Sequence, residues 1–218
     1  MNHPKSSHSR LPAICAAAGL LGALAGCNII PPPQQDATRY FVLSDAAPGG
    51  APAGLAPAAA GGLRIGLRPV ALASYLDHRT MVVRTGASEV RFEDFRRWAE
   101  PLDAGIARVL RTALLSSPDV AQVFVEPFPL DQERDFDVSI KVVRCGGAET
   151  SMGRYAASLE ATIEITAPGA APRVVSRRVF VAPDEPWDGD DFGRLAALLT
   201  KDVAALGRDV LAGIPPRG

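Results

Sequence analysis

Histidine and cysteine are scarce in this chain, three of each in 218 residues, and neither sign of charge dominates: 23 Lys and Arg stand against 24 Asp and Glu. The balanced charge argues against nucleic acid as a partner, because a phosphate-backbone binder needs a basic surplus or stripe. Aromatic residues make up only 6%. Walker, Rossmann and paired-cysteine motifs are absent, and no Gly-x-Ser-x-Gly elbow is present to hold a nucleophile. Position shrinks the small stock of reactive side chains further, since His3, His8, Cys15 and Cys27 all fall in the first 27 residues.

Those residues have the organisation of an export signal. Lys5 and Arg10 form a positive start, and Leu11 to Gly26 follow without a charge. That run matches a secretory apolar region and falls short of the roughly 20 residues a membrane-spanning helix needs. It ends Leu24-Ala25-Gly26-Cys27, which resembles a bacterial lipobox. The resemblance implies cleavage before Cys27, an S-diacylglyceryl group and an N-acyl chain (a palmitate-type modification) on that residue, and no other cofactor. Asn28, where Asp would resemble an inner-membrane retention signal, implies transfer to the outer membrane. Cleavage removes Cys15 and lipidation occupies Cys27, so Cys145 is left with no partner for an internal disulfide. His78 is the one histidine of the mature chain, which carries 21 basic and 24 acidic side chains.

The organisation predicted is a signal peptide over 1–26, a lipidated tether over 27–38 and a periplasmic domain over 39–214. Three prolines, Pro31 to Pro33, give the tether a polyproline character. Residues 45–62 hold sixteen Ala, Pro or Gly in eighteen positions, a composition with little to bury, read as a disordered insertion. Strands are expected at Tyr40 to Leu43 and, by alternation, from Leu63 to Leu67. A hairpin is expected from Met81–Arg84 and Glu89–Phe92 around a Gly-containing loop. Pro101 then opens an amphipathic helix stopped by Ser116-Ser117-Pro118, and Val123 to Val125 is a short strand. A three-strand meander follows, with Gly146-Gly147 as its first turn region. The spacing of Phe192, Leu195, Leu199, Val203, Leu206 and Val210 predicts a long last helix capped by Asp188 or Asp190. Two helices with one apolar stripe each need a sheet to cover, so the expected fold is α/β (α+β): a single domain with a mixed β-sheet covered by two long amphipathic helices.

Chemistry is hard to place on this frame. His78 sits in a Tyr-Leu-Asp-His-Arg loop and reads as solvated. Cys145 follows Arg144, which could lower its pKa, yet with no second Cys or nearby His a structural thiol is the better reading. The acidic run 184–191 could attract calcium, but it departs from the EF-hand spacing and suits helix capping better. No catalytic or metal-ligating residue is therefore assigned. Aromatic and Arg side chains concentrate between Tyr75 and Leu102, the composition of buried interface anchors. Tyr75, Arg84, Arg96, Arg97 and Trp98 are the candidate partner-binding residues. The competing reading is a helix start in which Trp98 packs under the sheet and Arg97 pairs with Glu100.

The ordered motifs also resemble a family. Arg39-Tyr40-Phe41-Val42-Leu43 after a lipobox, Val70 to Tyr75-Leu76, Met81-Val82-Val83-Arg84-Thr85 and Arg97-Trp98-Ala99-Glu100-Pro101-Leu102 are similar to the ABC-type transport auxiliary lipoproteins, the PqiC or YmbA-like family. The chain departs from it in a longer Ala/Pro/Gly insertion and in Cys145, where a large apolar residue is more typical. The resemblance implies a non-enzymatic lipoprotein on the periplasmic face of the outer membrane. Its partners would be an MCE-domain protein and inner-membrane transport components of a lipid transport system, with a homo-oligomer as a further implication. A periplasmic chaperone carrying a single lipid is the alternative.

Overall fold

The computed structural model describes residues 36–44, 61–150 and 153–215. Cys27, the signal segment and most of both the tether and the 45–62 insertion lie outside the described residues. The folded unit begins at Thr38. Its elements are β1 (Arg39–Phe41), β2 (Leu63–Leu67), β3 (Ala71–Leu72), a 3-10 turn at Ser74–Leu76, β4 (Thr80–Arg84) and β5 (Val90–Trp98). Then come α1 (Leu102–Leu115), β6 (Val120–Val125), β7 (Phe136–Glu149), β8 (Tyr155–Ala167), β9 (Arg173–Val181), β10 (Glu185–Trp187) and α2 (Phe192–Gly213). The architecture is the mixed sheet with two helices that the alternation and the two apolar stripes predicted.

The organising strand is β7. Its fourteen residues pair antiparallel with β8 along one side, and on the other side they meet β2, β3 and β4 in succession, all parallel. The sheet therefore has β9 at one margin, paired antiparallel to β8. The opposite margin is divided between β6, parallel to β2, and β1, parallel to β5. Alternation sorts the strand residues into two sets. Val138, Ile140, Val142, Leu159, Ala161, Ile163 and Ile165 are buried and form one core with Ile106, Leu110, Leu114, Leu195, Leu199 and Leu206 of the helices. Lys141 and Arg177 lie on the other side and are exposed. Both helices thus cover the same face, and they touch closely where Gly207 meets the Ala113 methyl, a contact that leaves no room for a Cβ.

Five local expectations need correction. Residues 93–98, read as the approach to a helix, continue β5, because that strand gains β1 as a second partner. Its inward positions are few, so alternation alone could not reveal it. Gly146 and Gly147 are not a turn but the interior of β7. A Cβ on Gly146 would stand 2.4 Å from the Val82 carbonyl oxygen, and one on Gly147 would stand 2.5 Å from the Trp187 ring. The glycines are there for close approach, not for reversal. The cap of α2 is Asp191, whose side chain accepts from the Arg194 amide at 3.0 Å. Asp188 instead accepts from the amides of Asp190 and Asp191, closing the preceding turn and holding its carboxyl below the usual range. Finally, Pro101 occupies the cap position of α1 rather than its first turn, and Glu100 pairs with Arg108, not with Arg97.

Candidate functional site

The irregularity in the β4–β5 pairing governs where the candidate contact residues go. Val82 pairs with Phe92 and Arg84 with Val90, but Thr80 pairs with Arg97, so β5 carries extra residues between the two registers. An insertion in one strand exchanges the faces of the side chains beyond it. Trp98 is thereby turned into the core and is 3% exposed. Arg96 turns the same way and lies over the Phe192 ring at the start of α2, 5.7 Å from its centroid. Phe192 continues into Trp187 at 5.0 Å and Trp187 into Tyr155 at 5.8 Å, both edge-on. The Trp187 indole N–H donates to the Asp191 carbonyl at 2.7 Å, which ties this aromatic row to the cap of α2.

Arg97 faces the opposite way and is exposed, with Tyr40 as its partner across the β1–β5 pairing. Tyr75 and Arg84 come together on that same helix-free face, beside a shallow, solvent-open depression whose walls include Val82, Val90, Arg144 and Ser158. The Tyr75 hydroxyl donates to the Val143 carbonyl at 2.7 Å, and the Arg84 guanidinium donates to the Ala87 carbonyl at 2.8 Å. Of the five residues, then, Tyr75, Arg84 and Arg97 are on the open face, while Arg96 and Trp98 brace the core beneath the same edge.

The reactive side chains are elsewhere. His78 is exposed and edge-on to Phe92, with ring centroids 6.1 Å apart. Cys145 is buried and its thiol is pushed up to about 12, first by loss of solvent and then by the Asp202 carboxylate, so Arg144 does not activate it. Arg144 pairs with Glu160 at 3.1 Å. Among the described residues no three His, Cys, Asp or Glu side chains converge as metal ligands. Two buried acids escaped the sequence reading. Asp137 accepts from Arg134 at 2.8 Å and from Arg68 at 3.2 Å, and Phe128 lies against both guanidinium groups. Asp202, 2% exposed, has an oxygen with no hydrogen-bond partner, and its pKa is raised to about 7 by burial and by Glu185, against the opposing pull of Lys201. Its signal was available: position 202 falls on the apolar stripe between Leu198 and Leu206.

With the fold and this face described, comparison with known proteins decides the family. Residues 41–211 match the model of the ABC-type transport auxiliary lipoprotein component. The chain belongs to that family. No curated protein matches it significantly. Among solved structures it is similar to a Xanthomonas campestris protein of the DUF330 family, with 18% identity, a TM-score of 0.59, and coverage of 81% of this chain and 90% of that one. A second structure, of an uncharacterised protein, gives 17% identity, a TM-score of 0.57, and coverage of 82% and 99%. At these identities the likeness shows the fold alone. The family match makes this auxiliary lipoprotein a component of ABC-type transport, and it spans nearly all of the folded unit, from β1 to the last turn of α2.

Proposed function

We propose that this auxiliary lipoprotein is a non-enzymatic docking subunit of an MCE-type lipid transport system, held on the periplasmic face of the outer membrane by acyl groups on Cys27. The observation that carries the reading is the family match over residues 41–211, which spans nearly all of the folded unit, from β1 into the last turn of α2. The lipobox at Leu24 to Cys27 supports the anchor, and Asn28 supports the outer membrane as its destination. The helix-free face around Tyr75 and Arg84 is the proposed contact for the MCE-domain protein, because an aromatic and an Arg there border a depression at the surface. Neither His78 nor Cys145 is arranged for nucleophilic chemistry, which supports a binding role. This depression is shallow and open to solvent rather than an enclosed apolar cavity, so it does not itself supply the site that a single-lipid carrier needs.

Crosslinking of intact envelopes followed by purification of the full chain tests this. Recovery of an MCE-domain protein, reduced by Tyr75→Ala and Arg84→Ala, is the expected result. Recovery of no MCE-domain or inner-membrane transport protein would count against docking. Anchoring is tested separately by Cys27→Ser, which should abolish lipid labelling of the chain.

A further inference from the structure

The open face carries a second feature at its β1–β5 margin. In β1, Phe41 points inward to Phe192, with ring centroids 6.3 Å apart, and Leu43 beyond it is buried. Tyr40 and Val42, alternating with them, point outward and are 60% and 49% exposed. Arg97 is the register partner of Tyr40, and Phe95, beside the inward Arg96, is 56% exposed. Two aromatics, a valine and an arginine thus share one margin of the sheet, on the side the helices do not cover. Single exposed apolar residues need no explanation, but a cluster of this kind marks an interaction surface.

What covers it follows from where the chain enters the fold. Only ten residues separate Cys27 from Thr38. At about 3.5 Å per residue, Tyr40 lies within roughly 45 Å of Cys27 however the intervening segment is arranged. A tether that short keeps the first strand at high effective concentration near whatever Cys27 is attached to, so weak contacts suffice to hold it there. The chemistry of the margin suits a bilayer interface. Tyr and Phe rings settle at headgroup level, with the phenol hydroxyl toward water, and a guanidinium pairs with lipid phosphate through two parallel donors.

We propose that the β1–β5 margin, through Tyr40, Val42, Phe95 and Arg97, rests on the phospholipid surface to which the chain is anchored and so fixes the orientation of the sheet. This rests on the lipid anchor of the proposed function and adds a second, protein-borne contact. One consequence is directional: with β1 at the membrane, the β9 margin is turned away from it, and the Tyr75–Arg84 depression lies between the two.

Tryptophan quenching by lipid decides it. The two native tryptophans, Trp98 and Trp187, are buried away from lipid and add a constant emission measured in the parent chain. The full lipidated chain is reconstituted into vesicles of phosphatidylethanolamine and phosphatidylglycerol whose acyl chains are brominated near the headgroup. Tyr40→Trp and Phe95→Trp should lose most of their added emission and shift to the blue. Val179→Trp, at an exposed site on the far margin, should keep its emission. Equal quenching at the three sites, or none at positions 40 and 95, would overturn the proposal, the latter leaving a protein partner as the occupant. Co-flotation of the chain with the vesicles reads the anchor independently, so a failed anchor and a failed contact give different results. Circular dichroism confirms that each variant is folded.

Discussion

At the scale of the residue, Asp202 is the most consequential side chain that stands apart from any contact surface. Buried on α2 above Cys145, it has a folded-state pKa near 7, against an ordinary value of 3.8. The folded protein therefore binds a proton there between about pH 4 and 7 that the unfolded chain has released. Stability from this group is full at acidic pH, falls as pH rises through that window and is flat above it. The total change is roughly 2–4 kcal/mol. Asp202→Asn should remove this part of the slope, so the variant gains on the parent as pH rises from 5 to 8. Thermal unfolding across that range measures it, and a constant difference between the two proteins would refute the assignment. The same burial keeps Cys145 a thiol, since its pKa of about 12 leaves almost no thiolate at neutral pH.

At the scale of the element, the start of α2 is the joint of the molecule. Asp191 caps it, its carbonyl holds the Trp187 indole, and the Phe192 ring links Arg96 and Phe41 of the β1–β5 margin to Trp187 of β10. Asp191→Ala removes the side-chain acceptor and leaves the carbonyl in place. It should cost about 1 kcal/mol, while Asp191→Ser should be close to neutral. A shift of the urea midpoint with unchanged slope would show this, and equal losses in both variants would argue against a capping role. The β4–β5 irregularity acts at the same scale. By adding residues to one strand it sends Trp98 and Arg96 inward and Arg97 outward, so neighbours in sequence serve opposite faces.

At the scale of the whole molecule, one core joins both helices to the sheet, and Trp98 and Trp187 report on it from β5 and β10. Unfolding should be a single transition in which tryptophan fluorescence and far-UV circular dichroism coincide. A fluorescence change preceding the loss of helix would show that the strands holding Trp98 and Trp187 open before the helices do. Among the described residues both helices lie on one side of the sheet, and the proposed contacts use the other. That asymmetry suits a subunit meeting a membrane at one margin and a protein at its face.

How much of this was legible follows from where the physics is local. The alternation of β7, β8 and β9 and the stripes of both helices gave the elements, because side-chain burial repeats at the period of the backbone. The lipobox and ordered motifs gave the family, since they are contiguous strings of residues. Beyond residue 27 the sequence holds one histidine and one cysteine, His78 and Cys145, so neither can pair with its own kind there whatever the fold. Three-dimensional pairing decided the rest. Gly146 and Gly147 looked like a turn until Val82 and Trp187 were seen to press on them. The aromatic and arginine cluster from Tyr75 to Trp98 looked like one surface until a register shift divided it. The reason is the same in each case: a side chain's face depends on which strand pairs with its backbone, and that partner lies far away in the chain.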